Sequence, residues 1–425
     1  MNAALAFSLL ILFATAVPIG VSLVLASAFG ITFFSTVPLL LAVQRIFASL
    51  DSFPLLAVPL FILSGNLMAS AGISERLVEL AKSIVGGIQG GLACTCVVTC
   101  MIFASVSGSS VATTFAIGVI LIPAMVRHGY PVGTAAAIQA SSAELGVLIP
   151  PSIPLILYGV ATETSIGQLF LAGIGPGILV ASALFLYLLI LCRVKGYGKM
   201  DGDERKPFFE ALVHSAWALV MPLVVLGGIY GGVFTPTEAS SIAVVYALVV
   251  GVFVYRTLTL EKIYAALRTS AVSSTVIMII IAGAGLFSFL VTRSGLPSII
   301  AEWVRDVFTD KYSFLIAVNV FLFFVGMFIE TSAAILVLAP LLAPIAISYG
   351  VDPVHFGLVI VVNLALGMFT PPVGVNLFAA CAVARIPIQR IIPALVPMVL
   401  VVMACVLLVT YVPVVSLGLV ELFYR

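Results

Sequence analysis

Two stretches of this sequence share a helix-breaking pattern: SSAELGVLIPPSIP at residues 141–154 and NLALGMFTPPVGVN at residues 363–376. In each stretch a glycine is followed four and five residues later by a proline pair, Pro150-Pro151 or Pro371-Pro372. Proline has no N–H to donate and crowds the carbonyl one turn earlier, so neither stretch can continue as a regular helix. The pattern predicts a broken helix at both places.

The predicted breaks have the chemistry of an ion site. They would leave carbonyls from Gly146 to Ile149, and from Gly367 to Thr370, without helical partners. Free carbonyls beside a hydroxyl suit a hard monovalent cation such as Na⁺. The same breaks expose the N-termini of half-helices, which favour a carboxylate. The alternative is a plain proline kink, which is common in membrane helices.

The two stretches belong to an internal repeat. A shift of 221 residues aligns the halves without a gap, and paired Gly and Pro carry the most weight because they fix backbone geometry. The matches are Ala112 with Ala333, Leu121 with Leu342, Pro123 with Pro344, Gly129 with Gly350, Leu145-Gly146 with Leu366-Gly367, and Pro150-Pro151 with Pro371-Pro372. Interrupted helices at corresponding repeat positions are typical of the binding site of a secondary transporter.

A polar tip precedes the broken helix in each repeat. The first, FASVSGSSVATT at residues 103–114, lies in a run without charge from Ser83 to Val126, about two spans long. This predicts a hairpin that enters the membrane and turns back at Ser107-Gly108-Ser109, with hydroxyls satisfying its backbone. The second tip is its repeat counterpart, GMFIETSAA at residues 326–334.

Glu330 in the second tip is the one acidic residue between Lys311 and Asp352. A lone carboxylate in a membrane costs roughly 2.5–3.5 kcal/mol by the more cautious scales. We expect a bound cation, a proton or nearby amides to offset that cost. The alternative is that Glu330 lies at a water-lined surface and needs no partner.

The composition identifies a polytopic membrane protein. Of 425 residues, 63% are hydrophobic and 8% charged, against about 45–50% and about 25% in soluble domains. A net charge of +1 excludes a nucleic-acid binder, and six cysteines without a C-x-x-C pair exclude a disulfide framework or zinc cage. Residues 1–44 carry no charge, so we expect two retained spans rather than a cleaved signal.

Charged residues mark the exits of about ten full spans and several half-length pieces. Amphipathic segments at 73–85 and 296–308, and TLEKIYAALRTS near residue 260, predict helices in the membrane interface, with ordinary loops as the alternative. The predicted organisation is scaffold helices with a first interfacial arm at 1–89, a first transport repeat at 90–192, a cytoplasmic linker at 193–210, scaffold helices with a second arm at 211–311, a second transport repeat at 312–412, and a C-terminal tail at 413–425.

Several motifs resemble one family, the large membrane subunit (M or DctM type) of tripartite ATP-independent periplasmic (TRAP) transporters. They include LDSFPLLAVPLFILSGNLM, SGSSVATT, ASSAELGVLIPPSIPLILYG, GGVFTPTEAS, GMFIETSAAILVLAPLLAPIA, DPVHFG and NLALGMFTPPVGVNLF. The resemblance covers essentially the whole chain. One departure is that many relatives have Asp where Glu330 stands.

The resemblance implies an all-α polytopic fold with two inverted repeats, re-entrant hairpins and broken helices. It also implies a Na⁺-driven elevator-type importer of an organic acid in the bacterial inner membrane, carrying two or more sodium ions per cycle. The expected partners are a small membrane subunit on a separate chain, because the sequence begins directly with large-subunit spans, and a periplasmic substrate-binding protein. The lipid bilayer surrounds the assembly, and no nucleic acid is involved.

The resemblance also implies site residues at the tips and breaks. One sodium set comprises Ser107, Ser110, Gly146 and Ile149, and the other comprises Gly326, Thr331, Gly367 and Thr370. The substrate-binding candidates are Ser109, Ser110, Pro151, Ser152, Glu330, Thr331, Pro372 and Asn376.

Other functions remain as alternatives. A membrane enzyme is disfavoured because His128, His214 and His355 lie far apart in sequence and no H-E-x-x-H or G-x-S-x-G motif occurs. A passive channel has no need of paired breaks. A Na⁺- or H⁺-coupled carboxylate transporter that works without a binding protein is the nearest alternative. The residues do not distinguish a C4-dicarboxylate from a sialic or sugar acid.

Overall fold

A computed structural model describes residues 2–198 and 206–424, and within these ranges the chain consists of helices and their connections, with no strand. The helices up to the linker are α1 (Asn2–Ala14), α2 (Ile19–Phe34), α3 (Leu39–Leu50), α4 (Ala57–Ser70), α5 (Ile73–Val85), α6 (Gly91–Ser107), α7 (Ser110–Arg127), α8 (Val132–Ala143), α9 (Leu145–Leu148), α10 (Ile153–Thr162) and α11 (Ile166–Lys195). The helices after it are α12 (Phe208–Tyr230), α13 (Pro236–Val249), α14 (Leu260–Arg293), α15 (Leu296–Val307), α16 (Lys311–Phe328), α17 (Thr331–Ser348), α18 (Pro353–Met368), α19 (Val375–Ala384), α20 (Ile392–Tyr411) and α21 (Val414–Tyr424).

The prediction of an all-α polytopic fold is confirmed. Nine helical segments within the described ranges are long and apolar enough to cross a membrane. A tenth span results if the stretch from Val132 to Thr162, which bends by 41° at the first proline pair, is counted as one. This agrees with the expected ten spans.

The repeat is present in the backbone as well as in the sequence. The starts of α7 and α17, the ends of these helices, and the starts of α8 and α18 each lie 221 residues apart (110 to 331, 127 to 348 and 132 to 353). Gly129 and Gly350, at the same offset, both adopt a positive φ. The proline pairs are cis at both breaks. Equivalent sequences therefore build equivalent turns.

The repeats pack against each other more than against the remaining helices. Helix α7 contacts α19, α8 contacts α19 and α20, α10 contacts α17, and α11 contacts α18, α20 and α21. A second group forms around α14, which packs on α2, α3 and α4, while α13 packs on α4 and α12 on α5. The two groups meet where α4 and α5 contact α6 and where α14 contacts α17.

The predicted interfacial arms are both helical, at α5 and α15, but they differ in burial. Helix α5 packs on α6 and α12 and buries one face that includes Leu77 and Val78. Helix α15 contacts α14, buries only Val304 among its residues, and exposes Trp303 at 61%. The two arms are therefore similar in sequence pattern but differ in how they pack.

Three expected boundaries differ in the structure. The segment near residue 260 is the start of α14, a helix of 34 residues and about 51 Å, so its interpretation as a separate interfacial helix is wrong. The predicted linker at 193–210 is helical at both ends, and its residues 199–205 lie outside the described ranges. The predicted tail at 413–425 contains α21, which packs on α11.

The packing of α21 on α11 yields a test of close helix contact. A Cβ added at Gly175 in α11 would collide with the Val415 carbonyl of α21. Gly175→Ala should therefore lower stability by about 1–3 kcal/mol, as overpacking does in other cores. Thermal unfolding of the purified protein in detergent measures this loss.

Gly227→Ala in α12 is the matched control, because no atom lies within 4 Å of its added Cβ. Alanine is the better helix former, so this variant should be neutral or more stable by about 0.5–1 kcal/mol. Equal melting temperatures for the two variants would contradict the observed α11–α21 contact.

Candidate functional site

A cavity of about 690 Å³ lies where the two groups of helices meet. Its walls combine the first tip, the second tip, the helix ends at the first break, the last residue of α18, and one face each of α4 and α14. Among the described residues that line it, none is Lys, Arg or His, and Glu330 is the one acid. The tips of both repeats thus line one cavity.

The first tip closes onto the first break through the backbone. Gly108 takes a positive φ of 63°, which ends α6 and turns the chain into α7. Its carbonyl accepts the Ile153 N–H at 3.3 Å, and an added Cβ at Gly108 would lie 2.7 Å from the Pro151 carbonyl. Only glycine therefore fits this turn.

The second tip makes the corresponding contact. The Gly374 N–H, one repeat length after Ile153, donates to the Met327 carbonyl at 3.0 Å. Beside it α16 and α18 cross at two glycines, since an added Cβ at Gly326 would lie 3.1 Å from the Gly367 Cα. Each repeat thus joins its tip to its own break.

The helices break inside the two predicted stretches, at the proline pairs. Gly146 and Gly367 lie inside helical turns, and the non-helical segments are 149–152 and 369–374. A proline removes the partner of the carbonyl four residues before it. Gly146, four residues before Pro150, is therefore the first carbonyl that loses its amide partner in the first break, and Val147, four residues before Pro151, is the second.

Local donors satisfy some of the carbonyls that were expected to be free. Ser152 Oγ donates to the Val147 carbonyl at 2.6 Å, and the Thr370 N–H donates to the Gly367 carbonyl at 2.9 Å. Neither carbonyl is therefore open, although Val147 accepts from a hydroxyl and not from the helical amide that the proline removes. The neighbouring Thr370 hydroxyl also turns back on its own helix, donating to the Leu366 carbonyl at 2.6 Å.

An oxygen cluster lies at the first candidate sodium set. Ser107 Oγ is 3.0 Å from Thr113 Oγ1, which donates to the Ser109 carbonyl at 2.7 Å. Gly146 packs against this cluster, since its added Cβ would lie 2.7 Å from the Ser109 carbonyl oxygen. Thr113 was missed, although it lies one helical turn after Ser109 in the quoted tip.

The other sodium candidates do not form a comparable cluster of oxygen atoms. Ser110 and Thr331, which are repeat equivalents, both point at Met368. Gly326 and Gly367 touch through their backbones. Ile149 is the first residue of the first break, and its side chain packs against Gly177 of α11.

Backbone amides donate hydrogen bonds to the Glu330 carboxylate. This is one of the three ways in which we expected, from the sequence, the cost of placing its charge in the membrane to be offset. Its carboxylate caps α17, accepting from the N–H groups of Ser332 at 2.9 Å and Ala333 at 3.2 Å. The Ser332 hydroxyl adds a third hydrogen bond at 2.9 Å. A helix N-terminus stabilises a negative charge. The repeat counterpart of Glu330 is Ser109, which caps α7 in the same way.

The substrate candidates divide into two groups. Ser109, Ser110 and Glu330 line the cavity. The others do not line it: Pro151, Ser152, Thr331, Pro372 and Asn376.

Asn376 is buried in a contact between the repeats. Its amide nitrogen donates to Glu144 Oε1 at 2.7 Å, and its amide oxygen accepts the Thr114 hydroxyl at 2.8 Å. Its relative exposure is 0%. Glu144 is 1% exposed, and its second oxygen has no hydrogen-bond partner in the described part of the chain. An acid inside an apolar run was the signal that could have identified it.

The sequence also did not identify the polar residues on the scaffold side of the cavity, where α4 and α14 form the wall. Asn66 of α4 donates its amide to Ser270 of α14 at 2.8 Å, and Thr269 and Ser273 line the same wall. Isolated hydroxyls and amides in long apolar helices are too common for the sequence alone to single these out.

His355, near the start of α18, is a buried residue. It is 1% exposed, with Nδ1 2.7 Å from Ser416 Oγ and Nε2 3.2 Å from the Thr410 carbonyl. It thereby ties α18 to α20 and α21, away from the cavity.

Comparison with known proteins decides the family. The family described as "Tripartite ATP-independent periplasmic transporter, DctM component" matches residues 6–415. The chain belongs to the TRAP transporter family. It is a multi-pass permease component and not an enzyme, as the sequence predicted.

Two relatives of this TRAP permease are equally similar to it. A C4-dicarboxylate TRAP transporter large permease protein, DctM, from Pseudomonas aeruginosa is 42% identical over 398 residues, covering 94% of this chain and 93% of the relative. An isethionate TRAP transporter permease protein, DctMQ, from Oleidesulfovibrio alaskensis is also 42% identical over 398 residues. That alignment covers 93% of this chain but 63% of the relative.

Among solved structures, the YdaH transporter of Alcanivorax borkumensis, described as having an unusual topology, is similar with a TM-score of 0.66. The match covers 89% of this chain and 88% of that chain at 18% sequence identity. At this identity the likeness concerns the fold alone.

The buried contact between Glu144 and Asn376 can be tested. Asn376→Leu removes the one donor to Glu144 and leaves Thr114 without its cross-repeat acceptor, so stability should fall by about 1–3 kcal/mol. Glu144→Leu combined with Asn376→Leu removes both polar partners and should recover part of that loss. Thermal unfolding without sodium or substrate measures both variants.

One result would contradict the structural role of Asn376. If Asn376→Leu unfolds at the wild-type temperature but raises the substrate concentration needed for half-maximal uptake, Asn376 is a substrate ligand and its structural role is wrong.

Proposed function

We propose that this chain is the sodium-coupled large permease subunit of a TRAP transporter that imports an organic acid across the bacterial inner membrane. The observation that supports this most directly is the 690 Å³ cavity lined by the tips of both repeats and by the scaffold helices α4 and α14. A cavity between two packed groups of helices is a suitable place for a substrate that moves with one of them.

We infer an elevator-type movement from the way the helices group. The repeats, near residues 90–192 and 312–412, are packed into one body through α7, α8, α10 and α11. The scaffold group contacts that body mainly through α4, α5, α12 and α14. A sliding movement would break few contacts within either group, and the arms α5 and α15 belong to the static side in this proposal.

The cavity fits an anion held by dipoles rather than by a salt bridge. Hydroxyls of Ser107, Ser109 and Ser110 surround the N-terminus of α7, whose dipole favours a negative group. Glu330 is already satisfied by the amides of α17, which limits its repulsion of an anionic substrate. The substrate class remains an organic acid: a C4-dicarboxylate, a sialic acid or a sugar acid, and the relatives named for isethionate and for C4-dicarboxylate are equally similar to this chain.

Sodium coupling is supported by the oxygen atoms at the first tip. Ser107 Oγ is hydrogen-bonded to Thr113 Oγ1, which is hydrogen-bonded in turn to the Ser109 carbonyl, and the last two oxygens lie beside Gly146. Neutral oxygens without a competing cation suit Na⁺. A second ion would bind at the equivalent place beside Thr331 and the Gly326–Gly367 crossing, so that two or more ions move per cycle.

The proposed partners follow from the family. They are a small TRAP membrane subunit and a periplasmic binding protein that delivers the substrate. The DctMQ relative supports the first, because this chain covers only 63% of its length. The alternative is a Na⁺- or H⁺-coupled carboxylate transporter that works without a binding protein.

Removing one tip hydroxyl tests the sodium proposal. Ser107→Ala removes an oxygen from the cluster with Thr113 and should raise the sodium concentration for half-maximal uptake by roughly 5- to 150-fold, corresponding to about 1–3 kcal/mol. The measurement is initial uptake against sodium concentration in proteoliposomes that contain all three components.

Ser105→Ala is the matched control, since this hydroxyl lies in the same helix but donates to the Ile102 carbonyl at 2.6 Å, away from the cavity. It should leave the sodium curve unchanged. Uptake driven equally well by a proton gradient without sodium would overturn sodium coupling.

Partner dependence is tested by omission. We expect uptake to be lost when either the small subunit or the binding protein is left out, because neither delivery nor a complete membrane unit is then available. Full uptake by the purified chain alone would instead establish the alternative transporter.

A further inference from the structure

The sulfur atom of Met368 accepts hydrogen bonds from both tips. Ser110 and Thr331 are the first residues of α7 and α17 and lie 221 residues apart. Ser110 Oγ donates to Met368 Sδ at 3.9 Å, and Thr331 Oγ1 donates to the same sulfur at 2.8 Å. The relative exposures of these two residues are 1% and 0%, so water does not compete for either hydroxyl. Equivalent hydroxyls of the two repeats therefore share one acceptor.

Met368 stands where the cavity, the second break and both tips meet. It is the last residue of α18, is 1% exposed, and contributes to the cavity wall. Its repeat counterpart is Val147 near the end of α9, which also lines the cavity. Valine has no acceptor atom, so the first repeat has no thioether of its own. The two repeats therefore differ in hydrogen-bonding capacity at this position.

The chemistry of a hydroxyl gives this contact a consequence for cation binding. A Ser or Thr hydroxyl that binds a cation through a lone pair must direct its single hydrogen elsewhere. A thioether sulfur accepts such a hydrogen weakly and carries no charge that would compete for the cation. Methionine also adapts its shape through three rotatable bonds. Met368 can therefore hold both hydrogens while leaving both oxygens available.

We propose that Met368 is a positioning residue that couples the two sodium sites. The inference rests on the proposed sodium coupling and on the two sodium sets that the family resemblance implies, one of which includes Ser110 and the other Thr331. Binding at one tip fixes the Met368 side chain, and the fixed sulfur orients the hydroxyl at the other tip. The second ion then binds more tightly, and linkage requires the effect to be reciprocal.

Met368→Leu tests this coupling, because leucine keeps the apolar volume but has no acceptor, and such exchanges are usually tolerated. We expect the half-saturating sodium concentration to rise roughly 3- to 30-fold, from the loss of one to two hydrogen bonds. The Hill coefficient for sodium should fall towards 1. The readout is sodium-dependent thermal stabilisation of the purified protein without substrate, repeated as uptake in proteoliposomes.

Met398→Leu is the matched control. Met398 is 0% exposed and accepts the Ser141 hydroxyl at 3.3 Å, so the same exchange is made at a buried thioether away from the cavity. It should leave both the half-saturation and the Hill coefficient unchanged. A shift as large as that of Met368→Leu would overturn the proposal, because the effect would then come from packing.

Deleting the hydroxyls gives an independent measurement if Met368→Leu does not fold. Ser110→Ala and Thr331→Val are each measured alone and together. Coupling through one sulfur predicts that the combined change in sodium response is smaller than the product of the separate changes, because either deletion already removes cooperativity. Independent, multiplicative changes would overturn the coupling.

The two proposals fail in different ways. A wild-type protein whose stability and uptake do not respond to sodium would overturn sodium coupling and Met368's role with it. A wild-type protein that responds cooperatively, with Met368→Leu giving the same curve, would overturn the role of Met368 alone.

Discussion

The structure depends on the need to satisfy backbone groups where proline interrupts a helix in apolar surroundings. An unpaired amide or carbonyl there costs several kcal/mol, because no water replaces the lost partner. Each repeat solves this by bringing its tip to its break, with the N–H of Ile153 donating to Gly108 and that of Gly374 donating to Met327. The hydroxyl of Ser152 serves the Val147 carbonyl. These contacts hold each tip against its own break, beside the cavity.

Near-symmetry of the backbone carries an asymmetric set of side chains. Ser109 and Glu330 cap equivalent helices, yet one is neutral and the other is an acid. Val147 and Met368 occupy equivalent cavity positions, yet only the sulfur can accept a hydrogen. A duplicated fold thus supplies two similar sites, while single substitutions make them unequal and allow one to influence the other.

Two carboxyl groups inside the protein are accommodated differently. Glu330 faces the cavity and is stabilised by the N-terminus of α17, so it is available to a solute without being unpaired. Glu144 is enclosed and is held by Asn376 of the other repeat. Asn376 thus lies at the contact between the repeats, and its role as a substrate ligand stays a prediction. This contact and the cavity are adjacent but chemically distinct.

The sequence by itself determined the class, the repeat, the tips and the breaks, because glycine and proline act on the backbone locally and apolar composition acts over whole segments. Only the tertiary structure decided which helices enclose the cavity, that α5 is buried while α15 is exposed, and that Asn376 pairs with Glu144. It also placed Met368 between Ser110, 258 residues away, and Thr331, 37 residues away. Such pairings depend on how helices cross, and a single sequence records the residues of a helix but not the neighbour that each one meets.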